Sequence, residues 1–157
     1  MKITVDLSKN KLYIDSAVYN ISNKIRTIRD GTRKNSEVIR SIPTDFPYDP
    51  RPFPKGLWSI TGVEWQKEKG FDPNTYGPVK IRTNAWQPVN VWKLDADGDY
   101  LRETEMQVDD RGYLLHYSVS STTLGCIRLA SPEDAVQIAR VIEKLLAEGE
   151  EIILEVL

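Results

Sequence analysis

The residues of this sequence best suited to chemistry are a histidine and a cysteine ten positions apart. His116 is the only histidine and Cys126 the only cysteine among the 157 residues. A thiol is mostly protonated at neutral pH, and an imidazole within hydrogen-bond distance makes it a better nucleophile by taking its proton or by stabilising the thiolate. The pair predicts nucleophilic catalysis by Cys126 with His116 as acid and base, and with no metal or other cofactor.

The residues around the cysteine agree with this interpretation. Gly125 has no side chain in front of the thiol, so a substrate carbonyl can come close, and the N–H groups of Gly125 and Cys126 are the expected oxyanion donors. Arg128 shares a face with the cysteine in an extended segment and could bind a substrate carboxylate. Thr123 and Tyr117 are further expected substrate contacts, or supports for such contacts.

Each of these residues also has a plainer explanation. A lone cysteine is often a small buried hydrophobic residue, and a lone histidine is often a hydrogen-bonding residue of the core or surface. Arg128 could pair with a carboxylate such as Glu133. No acidic residue stands out as the group that orients His116, and a backbone carbonyl is an equal candidate. On the residues alone, catalytic and structural roles both remain open.

The elements that must position these residues are mostly short strands. Alternating apolar residues predict an opening hairpin over 3–14. The pattern predicts further strand segments within 17–42 and at 56–60, 79–82 and 89–92, a turn at 74–78 and a hairpin at Asp97-Gly98. Segment 43–54 holds five of the nine prolines and predicts a loop. If His116 closes one strand and Cys126 opens the next, both side chains reach one rim.

A single helix is predicted near the end of the chain. Ser131 is the expected N-cap, followed by Pro132 and two acidic residues in the first turn, and Gly149 is the stop. The predicted buried stripe consists of Val136, Ala139, Ile142, Leu145 and Leu146. Residues 151–157 predict a final strand. The sequence therefore predicts a mainly β fold with one C-terminal α-helix, in one domain over 1–157.

Composition excludes several classes of protein. With 40% hydrophobic and 28% charged residues the sequence resembles an ordinary globular protein. Its apolar runs are far shorter than the ~20 residues of a membrane-spanning helix. Asp6 interrupts any apolar stretch near the start, so no secretory signal is expected. One cysteine permits neither an internal disulfide nor a cysteine-based zinc site.

Two charged segments favour no particular ligand. Basic residues are in excess in the first 60 positions, including Lys24, Arg26, Arg29, Arg33, Lys34 and Arg40. They could meet a polyanion, but no aromatic residues are interleaved with them as stacking platforms, so nucleic acid is not expected as a partner. Segment 95–99 is rich in aspartate, yet its glycine comes too early for a calcium loop and the closing glutamate is missing.

At His116 and at Thr123-Leu124-Gly125-Cys126-Ile127-Arg128 the sequence resembles the L,D-transpeptidase catalytic domains, or YkuD domains, of bacterial peptidoglycan enzymes. Their signature is a histidine followed by Ser/Thr-x-Gly-Cys-hydrophobic-Arg/Asn. Weaker similarity at 3–13, 53–58 and 76–78 extends the resemblance over nearly the whole chain. It implies a β-sandwich or barrel and a peptidoglycan-modifying enzyme of the cell envelope.

The resemblance also implies a reaction. Cys126 would attack the carbonyl between the L-centre of diaminopimelate and a terminal D-alanine, while His116 protonates the departing amine. A thioester forms, and an acceptor amine or water resolves it, so cross-linking, exchange and carboxypeptidase outcomes all remain open. Substrate selection is expected from segment 43–56 and from four aromatic residues, each of which could equally be a core residue: Tyr76, Trp86, Trp92 and Tyr117.

Two departures from the family pattern bear on the biological role. Tyr117 stands where most members have glycine, and only nine residues separate His116 from Cys126. The short interval is similar to that of compact effectors delivered by type VI secretion, whose partners would be the secretion machinery or an immunity protein; a phage wall enzyme fits equally. Two alternatives stay open: a non-catalytic cell-wall-binding module that retains the fold, and a cysteine peptidase acting on ordinary proteins.

Overall fold

Ten strands and three helices make up the part of the chain that the structure, a computed structural model, describes, namely residues 1–26 and 47–157. The strands are β1 (Lys2–Asp6), β2 (Lys11–Ile14), β3 (Ala17–Ser22), β4 (Gly56–Trp65), β5 (Val79–Thr83), β6 (Gln87–Leu94), β7 (Tyr100–Asp110), β8 (Leu114–Tyr117), β9 (Ile127–Leu129) and β10 (Ile153–Val156). The helices are α1 (Gln66–Lys69), α2 (Pro73–Tyr76) and α3 (Pro132–Ala147).

Eight of the strands close into a barrel in the order β1-β10-β4-β5-β8-β9-β3-β2, and β6 and β7 form a separate two-stranded ribbon. The opening hairpin is confirmed as the antiparallel pair β1 and β2. On its other side β1 pairs in parallel with β10, so the predicted final strand is confirmed and lies beside the first. The mainly β fold with a C-terminal helix is therefore confirmed in its barrel form.

The barrel encloses the main hydrophobic core. Successive side chains of a strand point to opposite faces, and in β1 and β2 the buried residues alternate accordingly. Residues at the centre of this core come from strands all around the barrel: Ile3, Val5, Leu12, Val79, Ile81, Leu115, Ile127, Leu129 and Leu154. Helix α3 packs against β4, β5, β8 and β9 and adds its own apolar residues.

Helix α3 begins and ends close to where the sequence predicts. The Ser131 side chain accepts a hydrogen bond from the N–H of Asp134 at 3.1 Å, Pro132 occupies the first turn, and Gly149 follows the last turn at φ +80°. The buried stripe was predicted only in part. Ala135, Ile138, Ala139 and Ile142 are fully buried, whereas Val136, Leu145 and Leu146 are half-buried at its margins.

The described helices include none that is both long and apolar enough to cross a lipid bilayer.

The predicted strands at 56–60, 79–82 and 89–92 and the hairpin at Asp97-Gly98 are confirmed as β4, β5, β6 and the β6–β7 connection. The predicted turn at 74–78 is confirmed in part: Asp72 accepts a hydrogen bond from the N–H of Asn74 and starts the single helical turn α2, and residues 77–78 form a turn before β5. Segment 17–42 contains β3, but the rest of its predicted strands, 43–46 of the predicted loop, and Arg29, Arg33, Lys34 and Arg40 lie outside the described residues.

Removal of the Ser131 cap tests the account of α3. Ser131→Ala takes away the acceptor of the Asp134 N–H and is expected to lower the free energy of unfolding by about 1 kcal/mol and Tm by about 2–4 °C. Ser131→Asp keeps an acceptor there and is the matched control. Thermal unfolding followed by circular dichroism measures both, and equal Tm values for wild type and Ser131→Ala would show that the cap is dispensable.

Candidate active site

Parallel pairing of β8 and β9 brings the predicted nucleophile and base together. His116 lies opposite Arg128 and Leu115 opposite Ile127, so Cys126, one residue before β9, falls beside Leu114. Residues two apart in a strand share a face, so His116 and Cys126 lie on the same face of the pair. Both line one cavity of about 610 Å³. The sequence-based expectation that the two side chains meet at one rim is consistent with this arrangement.

The nine-residue connection between these strands is held by the chain segment after β3. Thr123 N–H donates to the Lys24 carbonyl at 2.8 Å, and Arg26 N–H donates to the Thr123 carbonyl at 2.9 Å. Parallel neighbours usually need a longer crossover with a helix between them. Here Thr123 of the loop instead pairs in parallel with Ile25. This pairing brings the chain back to the start of β9.

Asn23 supports the backbone of the predicted nucleophile and was missed in the sequence. Its Nδ2 donates to the carbonyls of Gly125 at 2.9 Å and Cys126 at 3.0 Å, and its Oδ1 accepts from the Phe53 N–H at 3.0 Å. The Thr123 hydroxyl also donates to the Cys126 carbonyl, at 2.7 Å. Thr123 therefore orients the cysteine backbone. Because Asn23 lies 102 residues from Gly125, no local pattern could have indicated this contact.

The sulfur of Cys126 is hydrogen-bonded to strand backbone. The Leu114 N–H lies 3.4 Å from Sγ, and the thiol donates to the Gly112 carbonyl at 3.5 Å. Burial raises the pKa of the thiol to about 12; the Leu114 N–H opposes this shift, the Asp110 carboxylate adds to it, and Lys80 opposes it. The expectation of a thiol made ionic by its histidine is therefore wrong for the resting site, where the thiol is neutral.

The imidazole of His116 is buried and oriented by a backbone carbonyl. Nδ1 lies 2.8 Å from the carbonyl oxygen of Tyr117, which can only accept, so Nδ1 carries the proton and Nε2 has the free lone pair. The Tyr76 ring packs edge-on at 5.2 Å between centroids. Burial lowers the pKa of His116, and Lys80 and Arg128 lower it further. The sequence left open whether an acidic residue or a backbone carbonyl orients His116. In the structure it is the carbonyl of Tyr117.

Gly125 is required for a different reason from the expected one. Its φ is +132°, and a Cβ at this position would lie 2.6 Å from Cε1 of Tyr113 and 2.9 Å from the Arg51 carbonyl. The missing side chain thus makes room for a buried ring and a backbone oxygen. The Gly125 N–H already donates to the Thr123 hydroxyl at 3.3 Å, so it could serve an oxyanion only by leaving that acceptor.

Arg128 and Tyr117 lie outside the cavity wall that holds the pair. Arg128 Nε donates to the Ser118 carbonyl at 2.8 Å, and its guanidinium lies 5.1 Å from the centre of the Tyr117 ring. Tyr117 packs against the main core and against Gly77. The substrate contacts expected from these two residues stay predictions, and the structure does not bring them into the cavity that Cys126 lines.

Charged residues line this cavity, and Arg26 is the one among them that the sequence had indicated as part of a basic segment. Among the described residues, four of the lining side chains are basic and two are acidic: Arg26, Lys80, Arg82, Arg111, Glu64 and Asp110. They come from β4, β5, the end of β7 and the segment after β3, so the fold is needed to bring these groups to one cavity. The result is a polar cavity with an excess of positive charge around a neutral thiol and imidazole, an arrangement suited to an anionic substrate.

The other three aromatic residues expected to select substrate lie in three different settings. Tyr76 lines the cavity, and so does Tyr48 of the proline-rich segment, whose hydroxyl donates to the Leu124 carbonyl at 3.3 Å. Trp92 is fully buried and packs against Tyr100, which gives it a core role. Trp86 is partly exposed, with the Arg111 guanidinium 5.4 Å from its ring.

Segment 95–99 forms the turn at the tip of the ribbon. The carboxylates of Asp95, Asp97 and Asp99 place oxygens within 4.8 Å of one another. Asp95 Oδ1 accepts from the N–H groups of Asp97 and Asp99, as turn aspartates commonly do. These hydrogen bonds explain why the three aspartates lie close together: they belong to one turn.

Comparisons with known proteins give a family and a similar solved structure, and the family agrees with the motif. The chain is similar to the solved structure of Bdellovibrio bacteriovorus Bd1075, with 17% identity and a TM-score of 0.43 over 99% of this chain and 46% of that one. This chain thus spans about half the length of that structure. No curated protein matches. A model of the YkuD family, described as the L,D-transpeptidase catalytic domain, matches residues 2–151, and the chain therefore belongs to this family of peptidoglycan-acting domains.

Proposed function

We propose that this protein is a peptidoglycan-modifying cysteine acyltransferase, an L,D-transpeptidase or L,D-carboxypeptidase, with Cys126 as nucleophile and His116 as acid and base. Residues 1–157 act as one catalytic domain in the cell envelope. The observation that carries the proposal is that these two side chains line one cavity, with the imidazole held by the Tyr117 carbonyl so that Nε2 can accept a proton. Pairing of β1 with β10 supports a single domain.

The neutral resting site favours proton transfer during attack over a preformed thiolate. As Sγ bonds to the substrate carbonyl carbon, the thiol proton passes to Nε2 of His116, and the imidazolium then protonates the leaving amine as the C–N bond breaks. A thioester on Cys126 remains. An acceptor amine or water attacks it, His116 takes the proton of that nucleophile, and the sulfur leaves with the proton restored.

The substrate proposed is a peptidoglycan stem peptide, cleaved between the L-centre of diaminopimelate and a terminal D-alanine. Family membership supports this class of substrate. The positive excess of the cavity supports it too, because such peptides carry free carboxylates near the scissile bond. Type VI effector status, with secretion or immunity partners, stays a prediction from the short interval between His116 and Cys126.

One observation favours a second candidate, the non-catalytic wall-binding module. The sulfur is bound to the Leu114 N–H and the Gly112 carbonyl, and burial raises its pKa, as in a structural cysteine. A structural cysteine of this kind should be alkylated slowly at about pH 6–7. Because a buried catalytic thiol would also be slow, turnover of muropeptides has to separate the two candidates. Casein digested in parallel tests the cysteine peptidase alternative.

Loss of the nucleophile is the direct test. Cys126→Ala is expected to lower turnover of purified tetrapeptide muropeptides by about 10⁴-fold or more, because the covalent step is lost. Mass spectrometry of the products names the reaction: loss of D-alanine, exchange, or cross-linking. Circular dichroism provides the folding control. Equal product formation by wild type and Cys126→Ala would refute the proposal, and binding without product in both would favour the wall-binding module.

The pH dependence of turnover tests whether the Cys126 thiol and the His116 imidazole are both neutral before attack. His116 must be neutral to accept a proton, and its lowered pKa extends that form to lower pH, so the acid limb of kcat/KM is expected below 6.5. The thiol pKa of about 12 predicts that alkylation of Cys126 by iodoacetamide keeps rising above pH 9 while turnover has already levelled.

The control for this profile is His116→Gln, which should be alkylated with a similar alkaline rise but lose about 10²–10⁴-fold in kcat/KM. A single limb near pH 8.5–9, shared by turnover and alkylation, would contradict the neutral pair and indicate attack by a preformed thiolate.

A further inference from the structure

Lys80 lies in the wall of the cavity that holds the predicted nucleophile. It belongs to β5 and pairs with His116 of β8 in the register of the barrel, and it lines the same cavity as Cys126. Its Nζ lies 3.9 Å from the centre of the Tyr76 ring and 4.5 Å from that of Phe71. The two rings pack edge to face, so they form an aromatic support beneath the ammonium group.

The other cations of the cavity already have acceptors. Arg82 pairs with Glu64 at 2.6 Å, and Arg111 pairs with Asp109 at 3.1 Å. Arg26 donates to the Thr122 hydroxyl at 3.3 Å. Among residues 1–26 and 47–157, by contrast, no carboxylate lies within ion-pair distance of Lys80 Nζ.

Within the part of the chain that the structure describes, this partly buried ammonium group therefore has no carboxylate in direct contact. Burial lowers the pKa of Lys80, and Arg82 adds to that effect, while Glu64 opposes it from a distance. A charge held partly out of water is stabilised when a ligand supplies the opposite charge. Cation–π contact with two rings fixes the position of the ammonium but offers no hydrogen-bond acceptor for its three donors.

We propose that Lys80 binds a substrate carboxylate next to the scissile carbonyl, the role that the sequence indicated for Arg128. This assignment deepens the proposed function and rests on it for the identity of the substrate. A stem peptide offers two such groups, the terminal carboxylate of D-alanine and the carboxylate on the second centre of diaminopimelate. In either case the ammonium would fix the direction in which the peptide enters the cavity, and thus which carbonyl faces Cys126.

Alkylation of the single cysteine tests the anion site without any peptidoglycan. Iodoacetate carries a carboxylate and iodoacetamide does not, while both alkylate sulfur with loss of iodide. The ratio of their rate constants, measured by mass spectrometry at pH 7.5 and low salt, cancels any change in thiolate fraction. We expect Lys80→Met to lower this ratio about five- to tenfold, and Lys80→Arg to keep most of it.

Lys144→Met is the matched control, because it removes the same charge from the exposed face of α3, outside the cavity. It should leave the ratio unchanged. An unchanged ratio in a folded Lys80→Met would overturn the assignment. A wild-type ratio equal to that of free cysteine at low salt would overturn it too, and that result needs no variant to fold.

Peptide substrates then identify the carboxylate. Tetrapeptides amidated either at the D-alanine terminus or at the second centre of diaminopimelate are compared with the unmodified peptide. Wild type should show a KM about tenfold higher for one amidated peptide, and Lys80→Met should raise KM for the unmodified peptide to the same level with little change in kcat. Equal KM increases in Lys80→Met for all three peptides would contradict carboxylate binding.

Failure of the two proposals can be told apart. If wild type processes no muropeptide while its alkylation ratio still depends on Lys80, the proposed function fails and the anion site stands. If turnover depends on Cys126 but neither the ratio nor the amide comparison depends on Lys80, the function stands and the role of Lys80 is refuted.

Discussion

The hydrogen-bonded register between β8 and β9 is the constraint on which the site depends. With Leu115 opposite Ile127, the cysteine that precedes β9 falls on the same face as His116. Side chains alternate along a strand, so a slip of one residue would turn Cys126 away from the cavity. Asn23 and Thr123 hold the carbonyl of Cys126 immediately before β9 begins, and the chain therefore enters the pair in one register.

The features of this protein that could be predicted from the sequence are those that neighbouring residues determine. The opening hairpin and the cap of α3 depend on neighbours within a few residues, and the placement of His116 and Cys126 on one cavity depends on one short connection. Asn23 and Lys80 could not be found in this way, since the barrel brings them to the site from distant positions. The sequence indicated Gly125 as important, but it did not indicate that the ring of Tyr113 occupies the space a side chain would need there.

The protonation state of Cys126 could not be predicted from the sequence either. A cysteine near a histidine indicates an ion pair only if water or a hydrogen bond supports the thiolate. Here the sulfur lies between the Leu114 N–H and the Gly112 carbonyl, and Asp110 disfavours negative charge nearby. Burial therefore outweighs the Leu114 N–H and Lys80, the two groups that favour the thiolate. The sequence contains the identities of these residues but not the degree to which the fold removes them from water.

A neutral thiol also has a consequence for substrate binding. A thiolate at Cys126 would attract the ammonium of Lys80, and the two charges would satisfy each other before any ligand arrived. With the sulfur protonated, Lys80 retains its charge for an incoming carboxylate, and binding that anion does not compete with a negative nucleophile beside it. In the proposed mechanism, ionisation is deferred to the moment of attack, when His116 would take the proton. On the proposed role of Lys80, the same burial that keeps the resting cysteine neutral would thus leave the cavity free to select an anionic peptide.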